Sequence, residues 1–164
     1  MKIVIVGCGR VGAVLAEGLD AAGHEVIVVD ISTRAFERLS EEFKGQAVRG
    51  DGTDEDTLRR AGAVGADVFL ALTEGDNRNV MAAQVAVENL GIEQVLAKIN
   101  DPVRAAAYAE LGITTICRTT MLSDAILAFL HHQPSGMPAV IAAVAPHHEP
   151  VANAAVGPAA EGGA

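Results

Sequence analysis

A doubly wound α/β fold, with one parallel sheet and helices on both of its faces, is predicted by three features of this 164-residue chain. Strand-like and helix-like segments alternate from residue 2 to residue 131, which is the pattern of repeated βαβ units. Half of the residues are apolar but only 3% are aromatic, with no Trp and one Tyr. The core must therefore be built from Val, Ile, Leu and Ala, as in a parallel sheet buried on both faces. A β-branched run from Lys2 to Val6 ends in Gly7-Cys8-Gly9-Arg10-Val11-Gly12, and an amphipathic helical pattern begins at once. The length suits one domain with a full core and is short for two of ordinary size.

Strands are predicted near 2–6, 25–30, 46–49, 67–72, 95–99 and 113–117, and helices near 10–22, 33–43, 54–61, 77–90, 102–110 and 119–131. The first strand is the run before Gly7, and the first helix stops at Gly23, a C-terminal cap after Leu19-Asp-Ala-Ala. The second strand is Glu25-Val-Ile-Val-Val-Asp30. The third and fourth run into Gly50-Asp-Gly-Thr53 and Leu72-Thr73, each followed by a helical stretch, and Gly91 closes the helix after the fourth. The fifth ends at Lys98-Ile-Asn100, where Asp101 and Pro102 supply an N-cap and a first-turn proline. The last helix carries Met121, Leu122, Ala125, Ile126 and Phe129 at helical spacing. Right-handed crossovers then give a three-layer αβα Rossmann arrangement with strand order 3-2-1-4-5-6. Its crevice opens at the carboxyl ends of the first and fourth strands. Residues 1–132 form this nucleotide-binding domain. Residues 133–164, rich in Ala, Pro and Gly, read as a largely disordered tail. Met137 to Val144 is an apolar patch suited to a short strand or a partner contact.

Each glycine of the first loop has a physical task. Gly7 allows the tight turn off the strand, Gly9 lets the backbone approach a pyrophosphate, and Gly12 lets the helix pack close on the sheet. The helix N-terminal amides and dipole then face the phosphates. Cys8 and Val11 complete the loop. Arg10, at the first helical turn, either folds over a terminal phosphate or stays in solvent. Asp30 ends the second strand eighteen residues after Gly12, where a carboxylate accepts ribose hydroxyls. A turn that needs its glycines only for packing leaves that acid without a role. Ile31 and Arg34 follow on the same edge. The Asp30 charge repels a 2′-phosphate, so NADP is disfavoured against NAD(H), ATP or ADP, and Arg34 weakens that exclusion without reversing it.

Three further segments end on this edge. Gly50, Asp51, Gly52 and Thr53 either let an adenine lie against the backbone, with Asp51 bonding its exocyclic amine, or form a simple turn capped by Thr53 or Asp54. Leu72 and Thr73 lead into Asp76-Asn77-x-Asn79. There Thr73, Asp76 and Asn79 can bond phosphate, ribose or a cation, or Asp76 and Asn77 can merely cap a helix. Lys98 brings a cation toward the same crevice.

A net charge of −9 argues against nucleic acid or an anionic membrane as partner, since either calls for a basic face. No apolar run nears the roughly 20 residues that span a bilayer, and the first strand starts too early for a signal peptide. A soluble, cytoplasmic protein is expected. Cys8 and Cys117 have no metal-ligand spacing and read as reduced thiols, and no metal site is expected. His24 falls at the amino edge of the sheet, and His131, His132, His147 and His148 lie past it. Tyr108 has no Lys four residues on. No residue takes a catalytic role, and a dehydrogenase calls for a second domain that this length does not hold.

Together these segments resemble the RCK (regulator of potassium conductance) family, also called the TrkA N-terminal domain. The matching residues are Gly7-Cys-Gly-Arg-Val-Gly12, Asp30, Arg49-Gly-Asp-Gly-Thr53, Leu72-Thr-x-x-Asp76-x-x-Asn79, Lys98-x-x-Asp-Pro102 and Leu111-Gly-Ile, and the likeness covers residues 1 to about 131. The resemblance implies a cytosolic domain that forms homodimers and rings beneath a potassium channel or a Trk/Ktr-type transporter. It implies NAD(H) or ATP/ADP in the crevice, with Gly7, Gly9, Arg10 and Gly12 at the phosphates, Asp30 at the ribose, Asp51 at the adenine and Thr73 near sugar and phosphates. It also implies that the last helix crosses between partners. Many relatives carry a second ligand-binding domain or a fused channel; this chain is expected to carry neither and to act as a single-domain subunit. The expected function is non-enzymatic: gating of potassium transport by nucleotide, from the inner face of the plasma membrane. The alternatives are an NAD-dependent oxidoreductase and a nucleotide-binding scaffold that senses nothing.

Overall fold

The computed structural model describes residues 1–110 and 113–131. Among them the elements run β1 (Lys2–Val6), α1 (Arg10–Ala21), β2 (Glu25–Asp30), a 3-10 helix (Thr33–Arg38), β3 (Gln46–Arg49), α2 (Glu55–Arg60) and β4 (Val68–Ala71). They continue with α3 (Asp76–Glu88), β5 (Gln94–Ile99), α4 (Pro102–Glu110), β6 (Thr114–Cys117) and α5 (Arg118–His131). Met1–Ser123 form one compact unit, and of the unit that begins at Asp124 the described residues continue α5. The expected tail, its patch from Met137 to Val144, and Leu111-Gly112 lie outside the described residues.

All six strands pair in parallel in the order β3-β2-β1-β4-β5-β6, as the sequence predicts. Side chains alternate along β1. Ile3 and Ile5 join Val26, Val28, Ala13 and Ala16 on one face, while Val4 and Val6 join Ile27, Val29, Leu58 and Phe69 on the other. Burial of both faces is why these strands read as unbroken apolar runs. The fully buried Ala82, Ala83 and Ala86 bring the backbone of α3 close to the sheet.

Register positions the functional edge. Val6 lies beside Val29 on one side and Ala71 on the other. Beyond them the Gly7 N–H donates to the Val29 carbonyl at 2.8 Å and the Leu72 N–H to the Val6 carbonyl at 2.8 Å. Gly7, Asp30 and Thr73 therefore emerge together. The first helix stops where the sequence places its cap: Gly23 has a φ of +82° and its N–H donates to the Asp20 carbonyl at 2.9 Å.

One helix is shorter than its pattern. The segment 33–43, expected to be helical throughout, forms only a 3-10 helix over Thr33–Arg38. Two carboxylates of α1 take the backbone donors that would have continued it. Glu17 Oε1 accepts the Ser40 N–H at 2.7 Å, and Asp20 Oδ2 accepts the Lys44 N–H at 2.9 Å. Phe36, Leu39 and Phe43 then pack under α1 from an irregular path. Tertiary partners outweigh local propensity here.

The two glycines of α1 test this packing. A Cβ at Gly12 would lie 2.0 Å from the Gly7 carbonyl oxygen, backbone against backbone, whereas one at Gly18 would meet nothing within 4 Å. Urea denaturation of Gly12→Ala is expected to show a loss of about 1–3 kcal/mol or more, the cost of overpacking. Gly18→Ala should gain up to about 1 kcal/mol of helix propensity. Equal effects from the two would contradict this packing.

Candidate functional site

The loops after β1, β2, β3 and β4 enclose a cleft of about 680 Å³ at the carboxyl edge of the sheet. The glycine turn forms its centre. Gly7 has a φ of +105°, and a Cβ there would come within 2.9 Å of the Thr73 nitrogen, so the turn needs glycine on both counts. Gly9 lines the cleft and faces open space, with nothing within 4 Å of where its Cβ would be. It is also the N-cap of α1. No side chain caps that helix, and its first turn carries no acidic residue. The leading amides of α1 thus lack a side-chain acceptor, and the helix dipole favours an anion beside them.

Asp30 fixes the wall next to this turn. Its Oδ2 accepts the Cys8 N–H at 2.8 Å and its Oδ1 accepts the Ser32 N–H at 2.8 Å. Each carboxylate oxygen keeps a lone pair for a further donor. Ile31 lies beside it in the cleft wall and is 52% exposed, a bare apolar surface at the rim. Arg34 lines the same wall and pairs with Glu37 at 3.9 Å. The Cys8 thiol is fully buried among Ile3, Ile5 and Ala13, and burial, reinforced by the Asp30 charge, raises its pKa. It is a core side chain and a poor nucleophile.

Gly50 and Gly52 form the third wall. A Cβ at Gly52 would strike Val6 at 2.1 Å and one at Gly50 would strike Thr57 at 2.3 Å, so bare backbone is required at both. Asp51 turns away from the cleft and onto Thr53, its Oδ1 accepting the Thr53 N–H at 3.0 Å and hydroxyl at 2.8 Å. Asp54, rather than Thr53, caps α2 by accepting the Thr57 N–H at 3.0 Å.

The fourth wall separates cleft-lining groups from structural ones. Leu72 and Thr73 line the cleft. Asn79 does not: it is fully buried and its amide is saturated. Its Oδ1 accepts the Thr73 N–H at 2.8 Å and hydroxyl at 2.6 Å, while Nδ2 donates to the carbonyls of Thr73 at 3.1 Å and Lys98 at 2.7 Å. Asp76 is likewise turned to the next loop. Its Oδ1 accepts the Asn100 N–H at 2.9 Å and side-chain amide at 2.8 Å, and its Oδ2 accepts the Asp101 N–H at 3.2 Å. Burial pushes the Asp76 pKa up, but these donors and the Arg104 charge outweigh it, leaving the carboxyl below its usual range. Lys98 is partly buried outside the cleft lining, and burial, then Arg118, lower the pKa of its ammonium. Arg10 and Val11 are exposed on the first turn of α1, and Gly12 is buried behind the loop; none of the three lines the cleft.

Sequence reasoning passed over Ser32, Arg38, Glu74 and Arg78, all of which line it. Arg78 stands one residue before Asn79, inside a segment already singled out, and Ser32 stands two after Asp30. His24 lies at the opposite edge, its Nδ1 3.4 Å from the Met1 amino group. Among the described residues no His, Cys, Asp and Glu group is suited to a metal, and no helix is long and apolar enough to cross a membrane.

Asn79→Ala would leave the Thr73 N–H and the Lys98 carbonyl without their partner. A loss of about 3 kcal/mol is expected in chemical denaturation, the upper end for orphaned buried groups. A change under about 0.5 kcal/mol would mean that Asn79 is no staple.

Comparison with known proteins agrees with this architecture. The chain is 48% identical over 136 residues to the Trk system potassium uptake protein TrkA of Streptomyces coelicolor, covering 83% of this chain and 60% of that protein. The chain thus spans about three-fifths of that relative's length. Among solved structures, the RCK domain of GsuK superposes with a TM-score of 0.68 at 23% identity, over 82% of this chain and 29% of that one. The NAD(P)-binding domain of an exopolyphosphatase-related protein from Archaeoglobus fulgidus superposes with a TM-score of 0.65 at 23% identity, over 79% of this chain and 96% of that one. The TrkA-N domain model matches residues 3–119, and the chain belongs to the TrkA-N domain family.

Proposed function

We propose that this chain binds an adenine nucleotide, NAD(H) or ATP/ADP, in the cleft and regulates a membrane potassium channel or Trk/Ktr-type uptake system without catalysing a reaction. One observation carries the reading: an open Gly9 beneath an uncapped helix N-terminus, beside a carboxylate anchored on the neighbouring strand. Gly7, Gly9 and the first amides of α1 hold the phosphates. Asp30 accepts ribose hydroxyls with its remaining lone pairs, and its charge disfavours the 2′-phosphate of NADP. Gly50, Gly52 and Ile31 give the adenine a flat, partly apolar bed. The nucleotide supplies recognition and charge here, and no bond is made or broken.

Regulation requires that two ligands favour two arrangements unequally. Asp30 joins the glycine turn to the 3-10 wall, so a ligand that engages Asp30 and Gly9 together acts on both at once. We place the output at α5, whose Met121 and Leu122 are 56% and 60% exposed. A second copy of the chain covers these side chains, and rings of such dimers act on the membrane partner from its cytoplasmic side. The kinship with a Trk system potassium uptake protein supports this partner class.

Calorimetry on the purified chain is expected to show binding of at least one of ATP, ADP, NAD or NADH. Asp30→Ala should weaken it by about 1–3 kcal/mol, the scale of a lost charge-assisted bond. The wild-type gene should restore growth at low potassium to a strain lacking its own TrkA, and the Asp30→Ala gene should not. Absence of nucleotide binding, or full rescue by the variant, would contradict the proposal.

A further inference from the structure

We infer that Asn100 is a joint between the cleft and α5: it ties Glu74 and Asp76, after β4, to the first turn of α5, so that occupancy of the cleft reaches that turn. This rests on the placing of the output at α5 above. Asn100 directly follows β5. Toward the cleft, its backbone N–H and side-chain amide both donate to Asp76 Oδ1, at 2.9 and 2.8 Å, and the amide lies 3.4 Å from the Glu74 carbonyl. Glu74 lines the cleft, and Asp76 opens α3. In the other direction, the Asn100 carbonyl accepts the Thr119 hydroxyl at 2.5 Å, with the Cys117 sulfur at 3.7 Å. Cys117 ends β6 and Thr119 is the second residue of α5.

The wall itself is braced, so a change at Glu74 is not absorbed there. Asn79 satisfies its whole amide on Thr73 and the Lys98 carbonyl, and any other arrangement would orphan one of those groups. Asn100 is not saturated in this way. Its Oδ1 is buried and has no hydrogen-bond partner among the described residues. A buried orphan acceptor is costly, which brings the arrangement seen close in free energy to one in which that oxygen finds a donor. Transmission between sites needs an element with two such arrangements. The α5 side is slender as well: Thr119 is exposed, and its hydroxyl makes the hydrogen bond that joins Asn100 to α5 among the described residues.

Cys117 reports on the joint. Its thiol shares the Asn100 carbonyl with Thr119. Hydrogen bonds from Thr120, side chain first and then backbone, lower its pKa, and the Thr119 N–H adds to them. These donors belong to the first turn of α5. Because the thiolate is the reactive form, a movement of that turn changes the rate at which Cys117 is alkylated. Cys8, the second cysteine of the chain, is fully buried.

The test follows alkylation of Cys117 by iodoacetamide, read by mass spectrometry of its peptide, in the full chain and in Thr119→Val, Thr119→Ala and Thr119→Ser. Calorimetry with ATP, ADP, NAD and NADH supplies the affinities, and circular dichroism checks folding. In wild type, saturation with a nucleotide that binds should change the alkylation rate about threefold or more. T119V and T119A should bind that nucleotide within about twofold of wild type while the change in rate disappears. T119S, which keeps the hydroxyl, should retain the change. An unchanged wild-type rate with nucleotide bound, an undiminished response in T119V and T119A, or loss of the response in T119S as well would overturn the joint while leaving nucleotide binding intact. Wild type that binds none of these nucleotides would overturn the nucleotide reading itself, and this inference with it.

Discussion

Asp30 accepts the Cys8 N–H with one carboxylate oxygen and the Ser32 N–H with the other, each at 2.8 Å, and the glycine turn and the 3-10 wall take their relative position from those two bonds. The parallel register delivers the three parts. Val6 and Val29 pair side by side, so the chain leaves β1 and β2 at the same height, and Asp30 is the first side chain beyond the ladder able to reach across. The Gly50 N–H then donates to the Asp30 carbonyl at 2.9 Å, which brings the third wall to the same residue. A single residue at a strand end thus joins three of the four walls of the cleft, two through its carboxylate and the third through its backbone carbonyl.

The fourth wall is organised differently. Asn79 uses all four hydrogen-bonding positions of its amide to lock the loop after β4 onto β5, and Asp76 locks the start of α3 onto the loop after β5. Saturated buried amides of this kind stiffen a loop because every alternative arrangement orphans a polar group. The result is a cleft with one wall fixed to the sheet interior and another held by a carboxylate that a ligand can share. On the function proposed above, a ligand that changes the Asp30 bonds would move the glycine turn against the fixed wall, and this difference in stiffness would give a nucleotide mechanical effect.

Much of this was legible in the sequence, for identifiable reasons. Strand order followed from the alternation of apolar runs and helical stretches, because parallel strands buried on both faces leave no polar alternation to confuse the pattern. Gly7 and Gly12 were readable as close-approach positions, since a turn between strand and helix requires backbone against backbone. Asp51, Asp76 and Asn79 were harder. Sequence put these polar groups on the functional edge but carried no information on their direction, and the structure turns each toward a backbone partner. Arg10 stands on the first turn of α1 as expected yet lies outside the cleft lining, while Arg78 lies in it, because a residue's element is predictable while the face it presents depends on packing. The truncated helix after Thr33 was hidden because its competitors, Glu17 and Asp20, belong to a different element.

The proposed function requires that one nucleotide engage the glycine turn and the Asp30 wall together. Hydrogen–deuterium exchange of the chain with and without saturating ATP tests it most directly. Bound nucleotide is expected to slow exchange both in a peptide spanning Gly7–Gly12 and in one spanning Asp30–Ala35, with little change over α4. Protection confined to one of the two segments, or located around α4, would contradict it.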